Sequence, residues 1–175
     1  MATSDSVPVI VPFGPAHRAW AAELLTASWG ATLVVSRGQR HDARKLLGFV
    51  ALRADTPCGL ATYHVAGDSC ELVTIDSTAP GVGIGTALIA AVCDAAAAAR
   101  CQRVWLITTN DNLDALRFYQ RRGFALAALH RDAVTVARRQ KPQIPLIGHH
   151  GIPIRDEIEL ERVPSADRSM MTGRE

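Results

Sequence analysis

"TIDSTAPGVGIGTALIAAV", residues 74–92, passes from a β-branched run through three alternate glycines into a long apolar stretch. Read as strand, bare turn and helix, it decides the fold. The preceding "CELVTID" (70–76) alternates, which puts Glu71, Val73 and Ile75 on one strand face and Leu72 and Thr74 on the other. From about Ile84 to Arg100, the residues Ile84, Leu88, Val92 and Ala95 form an i, i+4 stripe. The alanines at 95–99 would let that helix lie close to a sheet. At the turn, Gly81, Gly83 and Gly85 carry no Cβ to hold a ligand away from the first helical amides. Those amides have no partners of their own and sit at the positive end of the dipole, so the turn suits an anion.

Outward from this unit, "VPVIVPFG" (7–14) reads as a first strand and 17–30 as a helix with Trp20, Leu24, Leu25 and Trp29 at helical spacing. A short β-branched piece follows at 32–38, a helical turn at 40–48, and strands at 49–54 and 59–67. After the glycine unit come a buried strand (103–109) and a helix within 110–124. That helix has Asn or Asp at its cap, Arg121 and Arg122 in its last turn, and Gly123 beyond. A strand at 125–129, a helix at 132–141, a Pro/Gly loop at 142–151 and a strand at 152–162 complete the domain. The expectation is one domain over 1–163 of class α/β (α+β), built on one mixed sheet, with a disordered tail at 164–175.

Composition narrows the classes. The 175 residues are 48% apolar and 21% charged with a net charge of +2, which offers no field for nucleic acid or an anionic membrane. No apolar run approaches the roughly 18 residues of a membrane span, and the first residues lack the pattern of a secretory leader. Cys58, Cys70, Cys93 and Cys101 make no CxxC and read as reduced core residues, which suggests a cytoplasmic chain. His149 and His150 face apart on an extended chain and have no acidic partner at ligand spacing, so no metal is expected.

Three architectures compete for the glycine turn. A P-loop needs a lysine that the stretch lacks, since Gly85 is followed by Thr86. A nicotinamide-dinucleotide fold would want a third glycine where Thr86 stands, and it remains an alternative. The third match is closer. Gly83, Ile84 and Gly85, with Thr86, Ala87 and Leu88 opening the helix, resemble the Q/R-x-x-G-x-G/A loop of the GNAT superfamily of N-acetyltransferases. "LITTNDNLDALRFYQRRGF" (106–124) resembles that family's second signature, with Asn110, Ala115, Phe118, Tyr119, Gly123 and Phe124 in place. The likeness is clearest over 70–130.

The resemblance implies a mixed, mostly antiparallel central sheet flanked by helices, with acetyl-CoA as co-substrate and a primary amine of a small molecule as acceptor. The pyrophosphate would lie at Gly81, Val82, Gly83, Ile84, Gly85 and Thr86. Pantetheine would pair like a strand with Val73, Thr74 and Ile75, where the sheet splays from 104–108, near Ala115 and Phe118. Tyr119 matches the tyrosine that protonates the leaving sulfur, and Asn110 would position pantetheine or cap the helix. An alkylammonium must lose a proton before it can attack, and Glu71 is the candidate base, with Asp76 the alternative.

One position departs from the family: Pro80 stands where the loop's leading Gln or Arg belongs, so Gly81 and Val82 amides or a nearby arginine must compensate. Pro80 favours a non-catalytic acyl-CoA sensor, whereas Tyr119 and Asn110 favour an enzyme. The acceptor would sit between Ser36, Arg37, Arg40, His41 and Asp42 on one side and Asp156, Glu157 and Glu159 on the other. Carboxylates there suit an amine, and the arginines would suit a carboxylate on the same molecule. The late strand, behind a long loop, is compatible with exchange between protomers in a homodimer.

Overall fold

A single parallel contact interrupts an otherwise antiparallel sheet, and the rest of the architecture is arranged around it. The computed structural model describes residues 7–79 and 81–164; Pro80 and all but the first residue of the expected tail at 164–175 lie outside the described residues. The chain forms β1 (Val9–Pro12), α1 (Arg18–Trp29), β2 (Leu33–Ser36), β3 (Gln39–Asp42), β4 (Leu47–Arg53), β5 (Thr56–Ala66) and β6 (Ser69–Ser77). It continues through α2 (Ile84–Ala98), β7 (Arg103–Thr109), α3 (Leu113–Gln120), β8 (Ala125–His130), α4 (Ala133–Ala137) and β9 (Glu157–Arg162). Seven strands make one sheet in the order β1-β4-β5-β6-β7-β9-β8, while β2 and β3 form a separate hairpin. Among the described residues only β6 and β7 run parallel. The expected class, a mixed and mostly antiparallel sheet flanked by helices, is what forms.

Each face has its own helix. On one, Leu88, Ile89, Val92 and Cys93 of α2 pack on Leu72, Val104, Leu106 and Leu160, all buried. On the other, Ala21 and Leu25 of α1 cover Val50, Leu60 and Val73. Burial at roughly 25 cal/mol per Å2 of apolar surface makes these two layers the main favourable term. Among the described residues no helix is long and apolar enough to cross a membrane.

Three sequence expectations need correction. The strict alternation over 70–76 fails, because Thr62 faces Thr74 while Tyr63 faces Leu72, leaving Val73 as an extra residue. This bulge keeps Val73 on the α1 side but returns Ile75 to the α2 side with Leu72. Residues 40–48 are not a helical turn throughout. Arg37 and Gly38 both adopt positive φ (46° and 75°), the primed turn that closes a two-residue hairpin, so 39–42 becomes β3. The last strand begins at Glu157 rather than 152, since Pro153 has no N–H to donate and Asn110 Oδ1 accepts from the amides of Arg155 (2.9 Å) and Asp156 (3.0 Å).

All four cysteines are free and buried. Burial raises each thiol, Cys70 to about 12, with Cys101 and Cys93 adding to it. A small aromatic disulfide reagent should therefore titrate fewer than one thiol in the native chain over minutes and all four after denaturation. Rapid reaction of two or more in the native chain would contradict this packing.

Candidate functional site

β6 and β7 pair only from Ser69↔Arg103 to Glu71↔Trp105. Beyond that vertex the bulged β6 parts from β7, and a cavity of about 960 Å3 occupies the opening. Val73 and Ile75 form one wall, Ile107, Thr108 and Thr109 the other. A β6 edge without its neighbour has main-chain donors and acceptors for an extended ligand.

The glycine turn closes the wide end, with Gly81, Gly83, Ile84 and Gly85 all facing the cavity. Gly81 and Gly83 have φ of 86° and 80°, and Gly83 is the N-cap of α2. A Cβ on either would meet nothing within 4 Å, so it is conformation that demands glycine at these two. Gly85 is bare for another reason. It is helical, and a Cβ there would stand 2.8 Å from Phe118 Cζ. The ring of α3 thus rests on the backbone of α2. Val82 is exposed and does not line the cavity.

Arg122, just past α3, locks this corner. Its Nε donates to Thr86 Oγ1 (2.9 Å), its Nη1 to the Phe118 carbonyl (2.8 Å), and its guanidinium lies 3.6 Å above the Phe118 ring. Arg117, Arg121 and Arg122 all reach the cavity, so cations gather at the glycine turn where α2 begins. The sequence alone names no particular arginine near this turn; the signal for Arg122 was the basic pair that directly follows α3.

Tyr119 is buried against Phe118 and Phe124, with ring centroids 5.2 and 5.7 Å away, and it lines the cavity beside Ala115 and Phe118. Burial holds its phenol well above the ordinary range, and the Asp76 charge adds to that. Asp76 also lines the cavity, where its Oδ2 accepts from Trp29 Nε1 at 2.8 Å. Burial raises its carboxyl despite that bond. Trp29 went unread as a site residue because its spacing fits an apolar helix face equally well.

Glu71 stands at the vertex, 4% exposed, with Oε2 3.4 Å from His41 Nε2. Ser36 and Glu157 join it in the lining. Besides Val82, three residues read as cofactor-binding are absent from the lining: Thr86, Thr74 and Asn110. Thr74 is buried with its hydroxyl on Thr62 Oγ1 (2.7 Å), so it contributes backbone alone. Asn110 neither lines the cavity nor caps α3. Its Nδ2 donates to the Pro153 carbonyl (2.9 Å) and its Oδ1 holds the residues before β9, while Asn112 Oδ1 caps α3 by accepting from Ala115 N (3.1 Å). Asp156 is likewise turned to Arg155 and the Asp132 amide, and its carboxyl is held below the usual range by Arg155.

A sequence model described as the acetyltransferase (GNAT) family matches residues 15–124. YdhI of Bacillus subtilis (strain 168) is 38% identical over 156 residues, covering 89% of this chain and 98% of that one. The IAA acetyltransferase from Bacillus cereus ATCC 14579 superposes with a TM-score of 0.68 at 20% identity, over 90% of this chain and 99% of its own. A GNAT family acetyltransferase from Elizabethkingia anophelis with acetyl-CoA bound gives 0.63 at 17% identity, over 89% and 97%. At those identities the two structures speak for the fold alone.

The contact between Gly85 and Phe118 can be tested directly. An alanine in a helix interior ordinarily gains about 1 kcal/mol over glycine. Here Gly85→Ala should lose about 1–3 kcal/mol by overpacking in urea unfolding. In a Phe118→Ala background, where the ring is gone, the same Gly85→Ala substitution should carry no such loss.

Proposed function

Because the chain belongs to the GNAT acetyltransferase family, we propose that it moves the acetyl group of acetyl-CoA directly to the primary amine of a small molecule. The observation that carries this reading is the polarity of the cavity. Arginines and helix amides lie at its glycine end, and two buried carboxylates lie at the other. The first would take the diphosphate, an extended pantetheine would follow the β6 edge, and the thioester would stop near the vertex.

A protonated alkylamine near pKa 10 is only about one part in a thousand neutral at pH 7. Glu71, reached through a water, would take its proton. Asp76 is the weaker choice, since its carboxylate already accepts from Trp29. The neutral nitrogen then attacks the thioester carbonyl, the C–N bond forms, the C–S bond breaks, and the electron pair leaves on sulfur. The second nitrogen proton is lost as the amide forms, and Tyr119 delivers a proton to the thiolate and recovers one. A phenol kept protonated by burial is suited to that donation.

Incubation with acetyl-CoA and a panel of aliphatic primary amines should release free thiol and acetylated amine in equal amounts. CoA binding without any thiol release would instead mark an acyl-CoA sensor. Tyr119→Phe should lower kcat about 100-fold with little change in CoA affinity; an unchanged kcat would remove the phenol from the reaction.

Arg122→Ala should weaken CoA by about tenfold in calorimetry, as expected for a lost charge-assisted contact, and flatten the salt dependence. The same variant should leave binding of S-acetylpantetheine, which lacks the diphosphate, unaltered. Equal losses for both ligands would show that Arg122 acts only through α3.

A further inference from the structure

We propose that Glu157, together with Glu71 and Ser36, forms a socket for the acceptor's primary ammonium, and that the acceptor carries no carboxylate beside that ammonium. The proposal rests on acetyl transfer to an amine and assigns where, and in what form, the amine is held. Glu157 would bind the cation, whereas Glu71 would take its proton.

Glu157 is 3% exposed and lines the cavity, yet among the described residues its carboxylate accepts one hydrogen bond, a long one from the Arg37 amide at 3.3 Å. Its surroundings supply other charges, but these are committed. Arg37 reaches Glu159 at 3.5 Å and lies over Trp105, His130 Nε2 contacts Glu159 Oε2 at 2.8 Å, and Arg103 pairs with Glu159 and Glu161. His41 stands against Glu71 outside hydrogen-bonding geometry. Burial raises the Glu157 carboxyl and the Glu71 charge acts the same way, while Arg37 and His130 pull against them. Two nearly buried carboxylates therefore share one cavity, and among the described residues no cationic side chain is paired with Glu157, an arrangement whose desolvation cost is left for a ligand to offset.

Ser36 supplies the independent sign of a ligand. Its side chain is 5% exposed, faces the same cavity, and its Oγ has no hydrogen-bond partner among the described residues. A primary ammonium has three N–H donors, and the socket offers three acceptor groups: the Glu157 carboxylate and the Ser36 hydroxyl directly, and Glu71 through its water. A tertiary or quaternary amine would leave at least two of them unanswered. A carboxylate on the same carbon would meet Glu71 and Glu157, while the arginines lining the cavity among the described residues all belong to α3 and the residues just after it, where the diphosphate is expected.

Calorimetry with the CoA-loaded chain and three matched probes tests this. n-Pentylammonium should bind at least tenfold tighter than norleucine, which adds only the carboxylate, and than pentanol, which removes the charge. Glu157→Gln should weaken pentylammonium about tenfold and leave the CoA affinity unchanged, and Ser36→Ala should shift it in the same direction. Titrating pentylammonium into the CoA-free chain keeps the two readings apart. A chain that ignores CoA but still prefers pentylammonium sinks acetyl transfer and spares the socket. Normal CoA binding with no such preference does the reverse.

Stability separates binding from scaffolding. A carboxyl raised in the folded state costs stability once pH exceeds its unfolded value, so Glu157→Gln should raise the apo Tm at pH 8. That gain should fade toward pH 4, where the glutamate is protonated in both states. The charges that act on it through this range are Glu71, Arg37 and His130, with His41 beside Glu71 and Glu159 beside Arg37 and His130. Wild-type affinity in both variants, or a Tm lowered at pH 8 in Glu157→Gln, would overturn the proposal.

Discussion

The three-residue limit on pairing between β6 and β7 is the constraint from which the site follows. A parallel pair in the middle of a sheet would ordinarily continue, burying both edges. Here it stops at Glu71 and Trp105, and the residues beyond are needed elsewhere. Val73 bulges toward α1, Ile75 turns back to α2, and the end of β6 feeds the turn that starts α2. The opening is thus part of the sheet's construction. Its charge is ordered as well, with cations from α3 at the wide end and carboxylates from β6 and β9 at the other.

Much of this was legible in the sequence, for reasons that can be traced. The strand–glycine–helix unit and the α3 signature are local, since the residues that define them lie within about twenty positions of one another. Gly83, Ile84, Ala115, Phe118 and Tyr119 all line the cavity. What failed to show was nonlocal. The bulge at Val73 depends on the partner strand, and Asn110 turns away because residues 45 and 46 positions later compete for its oxygen. Gly85 was legible as a glycine but not for its reason. The sequence suggests a phosphate approaching that backbone, whereas the structure brings an aromatic ring to it.

The front of β9 shows how stability and chemistry divide the same strand. Glu159 is surrounded by Arg37, Arg103 and His130, and it behaves as a structural anion whose carboxyl stays below the ordinary range through those hydrogen bonds and charges, despite burial. Two residues earlier on the same face, Glu157 has been left without such company. Local rules of polar satisfaction are obeyed at one position and broken at the next on the same face. Such breaks in a folded chain tend to coincide with the places where it works.

Phe118, Tyr119 and Arg122 stand within about one helical turn, anchored through a ring pressed on Gly85 and a guanidinium bound to Thr86. In the proposed reading, grip on the nucleotide and aim of the phenol would therefore be set by one rigid body. A lineage drifting toward a bulkier acyl donor could not retune one without disturbing the other. In that reading its freedom to diversify would lie instead in the β2–β3 hairpin and β9, away from the proposed diphosphate end.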